Sequence, residues 1–66
     1  MTNYTTSEIM ALIREYVHNE RNRHILKRRL IDGRTYEQLA EEFDLSTAQI
    51  KRIVYKAEAI VFQKLK

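Results

Sequence analysis

Five residues in the last third of the chain have types and spacing suited to reading base edges in DNA. At about 100° per residue, a helix over residues 47–65 would place them in one arc: Thr47, Ala48, Lys51, Arg52 and Tyr55. Arg52 could make two hydrogen bonds to guanine, and the methyl groups of Thr47 and Ala48 could pack against a thymine methyl. Lys51 and Lys56 suit phosphates, although simple solvation explains an exposed lysine equally well.

The charge along the chain is unevenly distributed. Residues 21–34 carry six basic residues against Asp32, and residues 46–66 carry five against Glu58. Residues 35–45, between them, carry four acidic residues and no basic one. Two basic segments separated by an acidic one favour an anionic partner on part of the surface. Solvated charge on helices is the alternative that charge alone leaves open.

The residue types that catalysis and cofactor binding need are absent or badly spaced. The chain has no cysteine, which excludes disulfides and thiolate metal sites. It has only two histidines as further metal ligands of the kind that zinc prefers. Glu41 and Glu42 are adjacent, so they diverge by about 100° on a helix. Ser7 and Ser46 lack histidine and acid partners at helical spacing. We expect no enzyme, no cofactor, no metal ion and no small-molecule substrate.

The chain also lacks targeting signals. No apolar run approaches the ~20 residues of a membrane span, and no signal-peptide pattern begins the sequence. We therefore expect a cytoplasmic, nucleoid-associated protein without membrane contact.

Capping signals divide the chain into the four helices of one all-α domain. Three capping boxes and one further cap residue mark the helix starts: Thr5-x-x-Glu8, Asn19, Thr35-x-x-Gln38 and Ser46-x-x-Gln49. Gly33, the only glycine, and Asp44 can both take the left-handed backbone that ends a helix. The predicted helices span residues 6–18, 20–31, 36–43 and 47–65.

Apolar residues at helical spacing predict one core-facing stripe on each helix. The stripes consist of Ile9, Leu12, Ile13, Tyr16 and Val17; Ile25, Leu26 and Leu30; Leu39, Ala40 and Phe43; and Ile50, Ile53, Val54, Ala57, Ile60, Val61 and Leu65. The last stripe lies opposite the polar arc that begins at Thr47.

The third and fourth helices satisfy the demands of a helix-turn-helix. Ala40 is small where two closely crossing helices nearly touch, and Asp44 tolerates the left-handed residue in the turn. The second helix of such a motif normally places its N-terminal residues in the major groove. A helix bundle that merely uses the same turn is the alternative.

Residues 23–60 read RHILKRRLIDGRTYEQLAEEFDLSTAQIKRIVYKAEAI. An arginine–apolar helix ending in Asp-Gly is followed by Thr-x-Glu-x-apolar-Ala, an apolar–Asp–apolar–Ser turn and a basic helix. This pattern resembles region 4 of bacterial RNA polymerase sigma factors, without gaps, over more than half the chain. Nothing in the sequence resembles region 2. We therefore expect a free-standing region-4-like protein, of the kind found in phages, in mobile elements or as half of a split sigma factor.

The resemblance implies a transcription regulator that binds double-stranded DNA through its last helix and contacts RNA polymerase. By position, Thr47, Ala48, Lys51 and Arg52 would face base edges and nearby phosphates. Arg29 and Thr35 match positions near the phosphate backbone. Further expected phosphate contacts are the chain's own Arg28 and Arg34, together with Ser46, Gln49 and Lys56.

Primary sigma factors often carry Arg-Glu where this chain has Thr47-Ala48. We therefore expect recognition by methyl contacts and Arg52 rather than by an arginine–glutamate pair, so the resemblance does not imply the −35 sequence as the target.

Self-association is a further hypothesis, because one small reading helix gains specificity from a second half-site. The residues expected to form such an interface are Tyr16, Ile60, Phe62 and Leu65.

The alternative function is a protein-interaction module that docks on RNA polymerase or a partner sigma subunit without reading DNA.

Overall fold

The computed structural model describes residues 4–63, apart from the side chain of Phe62, as four α-helices without a strand. The helices are α1 (Thr6–Tyr16), α2 (Glu20–Leu30), α3 (Tyr36–Phe43) and α4 (Thr47–Gln63). All four predicted helix starts are confirmed, as is the all-α fold class. α4 packs against each of the other three helices, so its apolar side forms the centre of the domain.

The helix starts are fixed by the predicted caps. In each capping box the hydroxyl of the first residue accepts a hydrogen bond of 3.1 Å from the backbone N–H three residues later. The side chain of that later residue accepts one of 2.9 Å from the N–H of the cap residue. α2 begins instead with Asn19, whose side-chain oxygen accepts from the Asn22 N–H at 3.0 Å. These bonds satisfy backbone donors that have no partner within the helix.

The predicted end of α1 at residue 18 is wrong, since the helix ends at Tyr16 and Val17 has an extended backbone. Arg23, on α2, donates to the backbone carbonyl of Val17 and, at 2.6 Å, to that of Arg14. Arg23 therefore satisfies one carbonyl in the last turn of α1 and one immediately after the helix. α2 ends at Leu30, one residue before the predicted end, and the predicted end of α4 at residue 65 lies outside the described residues.

The turn between α3 and α4 has the predicted left-handed residue. Asp44 lies at φ 56° and ψ 47°, and the next residue, Leu45, donates its N–H to the Ala40 carbonyl at 2.9 Å. Gly33 takes φ 71° after α2, with no atom within 4 Å of where a Cβ would be. The backbone angle, rather than lack of space, is what favours glycine there.

The core consists of apolar residues from all four helices. Its six fully buried large side chains are Ile25, Leu26, Leu39, Ile50, Val54 and Val61. Ile13, Val17 and Ala57 complete the buried set. The prediction is wrong for Ile60, whose side chain is 39% exposed. Ile60 borders an open groove of about 330 Å³ that is lined by the end of α1, the start of α2 and one side of α4.

Candidate nucleic-acid interface

The first turns of α4 present a polar face opposite the core. Ile50 and Val54 are fully buried, which points the intervening arc outward. Ala48, Lys51 and Arg52 are exposed, and so is Tyr55, at 56%. Thr47, the first helical residue, is half-buried. The structure therefore brings all five predicted base-reading residues to one side of α4.

Tyr36, the first residue of α3, links this face to α2. The guanidinium carbon of Arg29 lies 4.1 Å from the centroid of the Tyr36 ring, and the ammonium nitrogen of Lys51 lies 5.7 Å from it. Tyr55 packs edge-on against the same ring, with centroids 6.1 Å apart and an interplanar angle of 85°. Both cations are within the range in which an aromatic quadrupole attracts a positive charge. We call Arg29, Tyr36, Lys51 and Tyr55 the tyrosine cluster.

Two further features describe the surroundings of the cluster. Arg29 also donates to the backbone carbonyl of Arg34 at 2.6 Å, which fixes its guanidinium at a second point. Burial raises the pKa of Tyr36, with a further contribution from the Tyr55 hydroxyl, and Arg29 opposes part of this rise. Tyr36 therefore stays neutral at physiological pH and leaves both cations uncompensated.

The sequence did not predict Tyr36 as a residue of the interface. Arg29, Tyr36 and Lys51 lie on three different helices. No spacing along the chain could bring them together, because their contact depends on how α2, α3 and α4 cross. The only local signal was the place of Tyr36 immediately after the Thr35 cap.

Arg28 has a different environment from Arg29. Its guanidinium bonds the Glu42 carboxylate at 3.1 Å and the Asp32 carboxylate at 3.2 Å. The hydrogen bond to Glu42, the largest contribution, raises the pKa of Arg28. Because adjacent helical residues diverge by about 100°, Arg29 reaches the tyrosine cluster while Arg28 reaches the acidic side of α3.

The remaining residues predicted to contact phosphates fall into two groups. Thr35, Ser46 and Gln49 hold the capping boxes of α3 and α4, so their side chains are already engaged locally. Lys56 is exposed, and Arg34 is half-buried. Within the described residues, neither of them, nor Lys51 or Arg52, has a carboxylate within 4.0 Å. These side chains are available to an anionic ligand.

Two of the four residues predicted for self-association line one groove. Tyr16 of α1 and Ile60 of α4 both line the groove of about 330 Å³, together with Ile53 and Ala57. Arg52 and Lys56 form part of the same groove on α4. Leu65 and the side chain of Phe62, the other two, lie outside what the structure describes.

Other kinds of site find no support in residues 4–63. These residues contain no group of three or more histidine, cysteine, aspartate or glutamate side chains able to hold a metal ion. No helix among them is both long enough and apolar enough to cross a membrane.

Comparison with known proteins gives one match. The family model described as sigma-70, region 4 matches residues 19–66, which is more than half of the chain and includes α2, α3 and α4. No curated protein and no solved structure matches significantly. Sigma region 4 is a family of DNA-binding helix-turn-helix domains and not a family of enzymes. The resemblance seen in the sequence is thereby confirmed: the chain belongs to the sigma-70 region 4 family.

Proposed function

We propose that the chain is a sequence-specific regulator of transcription that reads the major groove of double-stranded DNA with the N-terminal half of α4. The observation that carries this proposal is the face of α4 itself. Lys51, Arg52 and Lys56 are exposed on it without a carboxylate partner among the described residues, and the core lies on the opposite side.

Within this face we assign different roles to different residues. Arg52 reads a base, because a guanidinium can bond two acceptors of one guanine. Thr47 and Ala48 contribute methyl contacts at the tip of the helix. Lys51 and Lys56, with Arg29 and Arg34 from the neighbouring segment, neutralise phosphates and so give affinity without sequence preference.

The test is a selection of binding sites from random duplexes, followed by fluorescence anisotropy titrations on the preferred duplex. Arg52→Ala should weaken binding to that duplex by ~1–3 kcal/mol and relax the preference at one base pair. Its binding to unrelated duplexes should change much less.

Arg14→Ala is the matched control for this substitution. Arg14 is exposed on α1 and lines a groove formed by α1 and α2 without any residue of α4. The variant therefore loses the same charge and should bind the preferred duplex as the unaltered chain does. Equal losses on preferred and unrelated duplexes for Arg52→Ala would refute its base-reading role.

We further propose contact with RNA polymerase, the partner that membership in the family suggests. The groove beside Ile60 favours an alternative in which docking on polymerase or a partner sigma subunit is the whole function, because it leaves an apolar side chain exposed. The titrations separate the two functions. If polymerase is captured while duplex DNA is not bound even at low salt, the docking module is correct.

Self-association is the last part of the proposal. The apolar side chains of Tyr16 and Ile60 would contact a second copy, and the resulting pair would supply two reading helices for two half-sites. Sedimentation at high micromolar concentration should show a dimer that Ile60→Lys dissociates. A monomer at all concentrations would refute this part and leave the reading of DNA unaffected.

A further inference from the structure

The tyrosine cluster holds two positive charges close together without an anion. From their distances to the ring centroid, the Arg29 and Lys51 charges lie within about 10 Å of each other. This is close to the screening length of about 8–10 Å at physiological ionic strength, so their repulsion is only partly screened. Neither has a carboxylate within 4.0 Å among the described residues. A stretch of phosphates is a ligand that would relieve this repulsion.

The Tyr36 ring is the element that holds these charges in place. Lys51 and Tyr55 are four residues apart on α4, so they lie on the same side of that helix and meet the ring together. Arg29 arrives from α2, with its second attachment at the Arg34 carbonyl. One side chain at the start of α3 thus restricts side chains of both neighbouring helices.

We propose that Tyr36 is a positioning residue for DNA binding, which fixes Arg29 and Lys51 for neighbouring phosphates and Tyr55 beside the base edges. The inference rests on the proposed function. A long cationic side chain that is already held in place loses less conformational freedom on binding than a mobile one. The attraction of the two cations to the face of the ring does not need the hydroxyl, so Tyr36→Phe retains it and Tyr36→Leu abolishes it.

The first test uses the free protein and needs no DNA. In NMR spectra the side-chain protons of Arg29 and Lys51 should show upfield shifts caused by the Tyr36 ring. Tyr36→Phe should preserve these shifts, and Tyr36→Leu should remove them. Unshifted protons in the unaltered chain would overturn the proposal before any variant is made.

The second test measures DNA affinity. Tyr36→Leu should weaken binding to every duplex by roughly three- to tenfold, and Tyr36→Phe should change it by less than about twofold. In a chain that already carries both Arg29→Gln and Lys51→Gln, Tyr36→Leu should have no further effect beyond the small loss from Tyr55. A purely structural role would predict the same loss in both backgrounds, which distinguishes the two roles.

The outcomes separate this proposal from the proposed function. If the ring shifts are present and Tyr36→Leu binds DNA as tightly as the unaltered chain, the positioning role is refuted and DNA reading stands. If the unaltered chain binds no DNA, both are refuted, and the ring shifts show that the cluster itself is formed. If Tyr36→Leu does not fold, then loss of affinity in Tyr36→Phe would refute the role of the ring face.

Discussion

The sequence predicts phosphate contacts for both Arg28 and Lys56. Removing the charge of Lys56 should change the salt dependence of DNA binding, whereas removing that of Arg28 should not. Arg28 is bound to Glu42 and Asp32, whereas Lys56 has no carboxylate within 4.0 Å among the described residues. Neutralised phosphates determine how steeply affinity falls with salt, since each bound cation releases counterions from the DNA. The number of available cations therefore predicts the salt dependence.

Of the cations that the sequence predicts at the DNA interface, Arg28 is paired, and four remain for phosphates if Arg52 reads a base: Arg29, Arg34, Lys51 and Lys56. At about −0.9 per phosphate, the slope of log affinity against log salt is about −3.6 for each chain bound. Affinity should then fall by about 150-fold between about 50 and 200 mM salt. Lys56→Gln should reduce the slope to about −2.7 and the fall to about 40-fold.

Arg28→Gln should leave the slope unchanged. Its side chain is 32% exposed and both carboxylates are 37% exposed, so solvent screens these ion pairs and losing them should lower the free energy of unfolding only slightly. Anisotropy titrations at several salt concentrations measure the slopes. Lys27→Gln is the control, because Lys27 is exposed and lines grooves that include no residue of α4. A slope that falls as much for Arg28→Gln as for Lys56→Gln would show that phosphate displaces the carboxylates, and would refute the count.

Three further predictions concern stability and are measured by circular dichroism. Leu39→Ala, at a side chain with 0% exposure, should lower the free energy of unfolding by ~2–5 kcal/mol, comparable to the ~3–5 kcal/mol expected for the whole domain; a loss below 1 kcal/mol would contradict the packing. Asp44→Ala should be about 1 kcal/mol less stable than Asp44→Gly, because φ is 56°; equal stabilities would contradict the left-handed turn. The pKa of Glu8 is lowered, mainly by the hydrogen bond that its carboxylate accepts from the Thr5 backbone N–H. The ionised carboxylate therefore stabilises the fold above its ordinary pKa of 4.5, and this stabilisation is lost as the pH falls through the lowered pKa of the folded state. The Tm advantage of the unaltered chain over Glu8→Gln should therefore shrink below pH 4.5, and an advantage that persists at lower pH would exclude the carboxylate as its source.

The helix starts were predictable because their causes are local. A cap residue and its partner three positions later lie within one turn, so Thr35 and Gln38 reveal the start of α3 from the sequence alone. The same holds for the left-handed Asp44, since few residues other than glycine tolerate that backbone.

The errors have non-local causes. α1 ends early where Arg23, on the next helix, binds the carbonyls of Arg14 and Val17, which periodicity along α1 cannot show. Ile60 has the spacing of a core residue, yet no other helix covers it. Tyr36 is a comparable case for the candidate site, because its partners come from two other helices. Features that depend on one helix or one turn could be predicted from the sequence. Contacts between side chains on different helices, such as those of Arg23 and Tyr36, could not.

The acidic segment between the two basic ones makes the distribution of charge over the domain uneven. In a helix-turn-helix complex the first helix of the motif crosses the DNA backbone, so unpaired carboxylates on α3 near phosphates would oppose binding. Glu42 is paired with Arg28, whereas the adjacent Arg29 contacts the Tyr36 ring. Arg29, Lys51, Arg52 and Lys56, which lie beside Tyr36 or on the polar face of α4, have no carboxylate within 4.0 Å among the described residues. If the domain binds DNA as proposed, attraction at this face would favour the orientation that directs Thr47, Ala48 and Arg52 toward the bases.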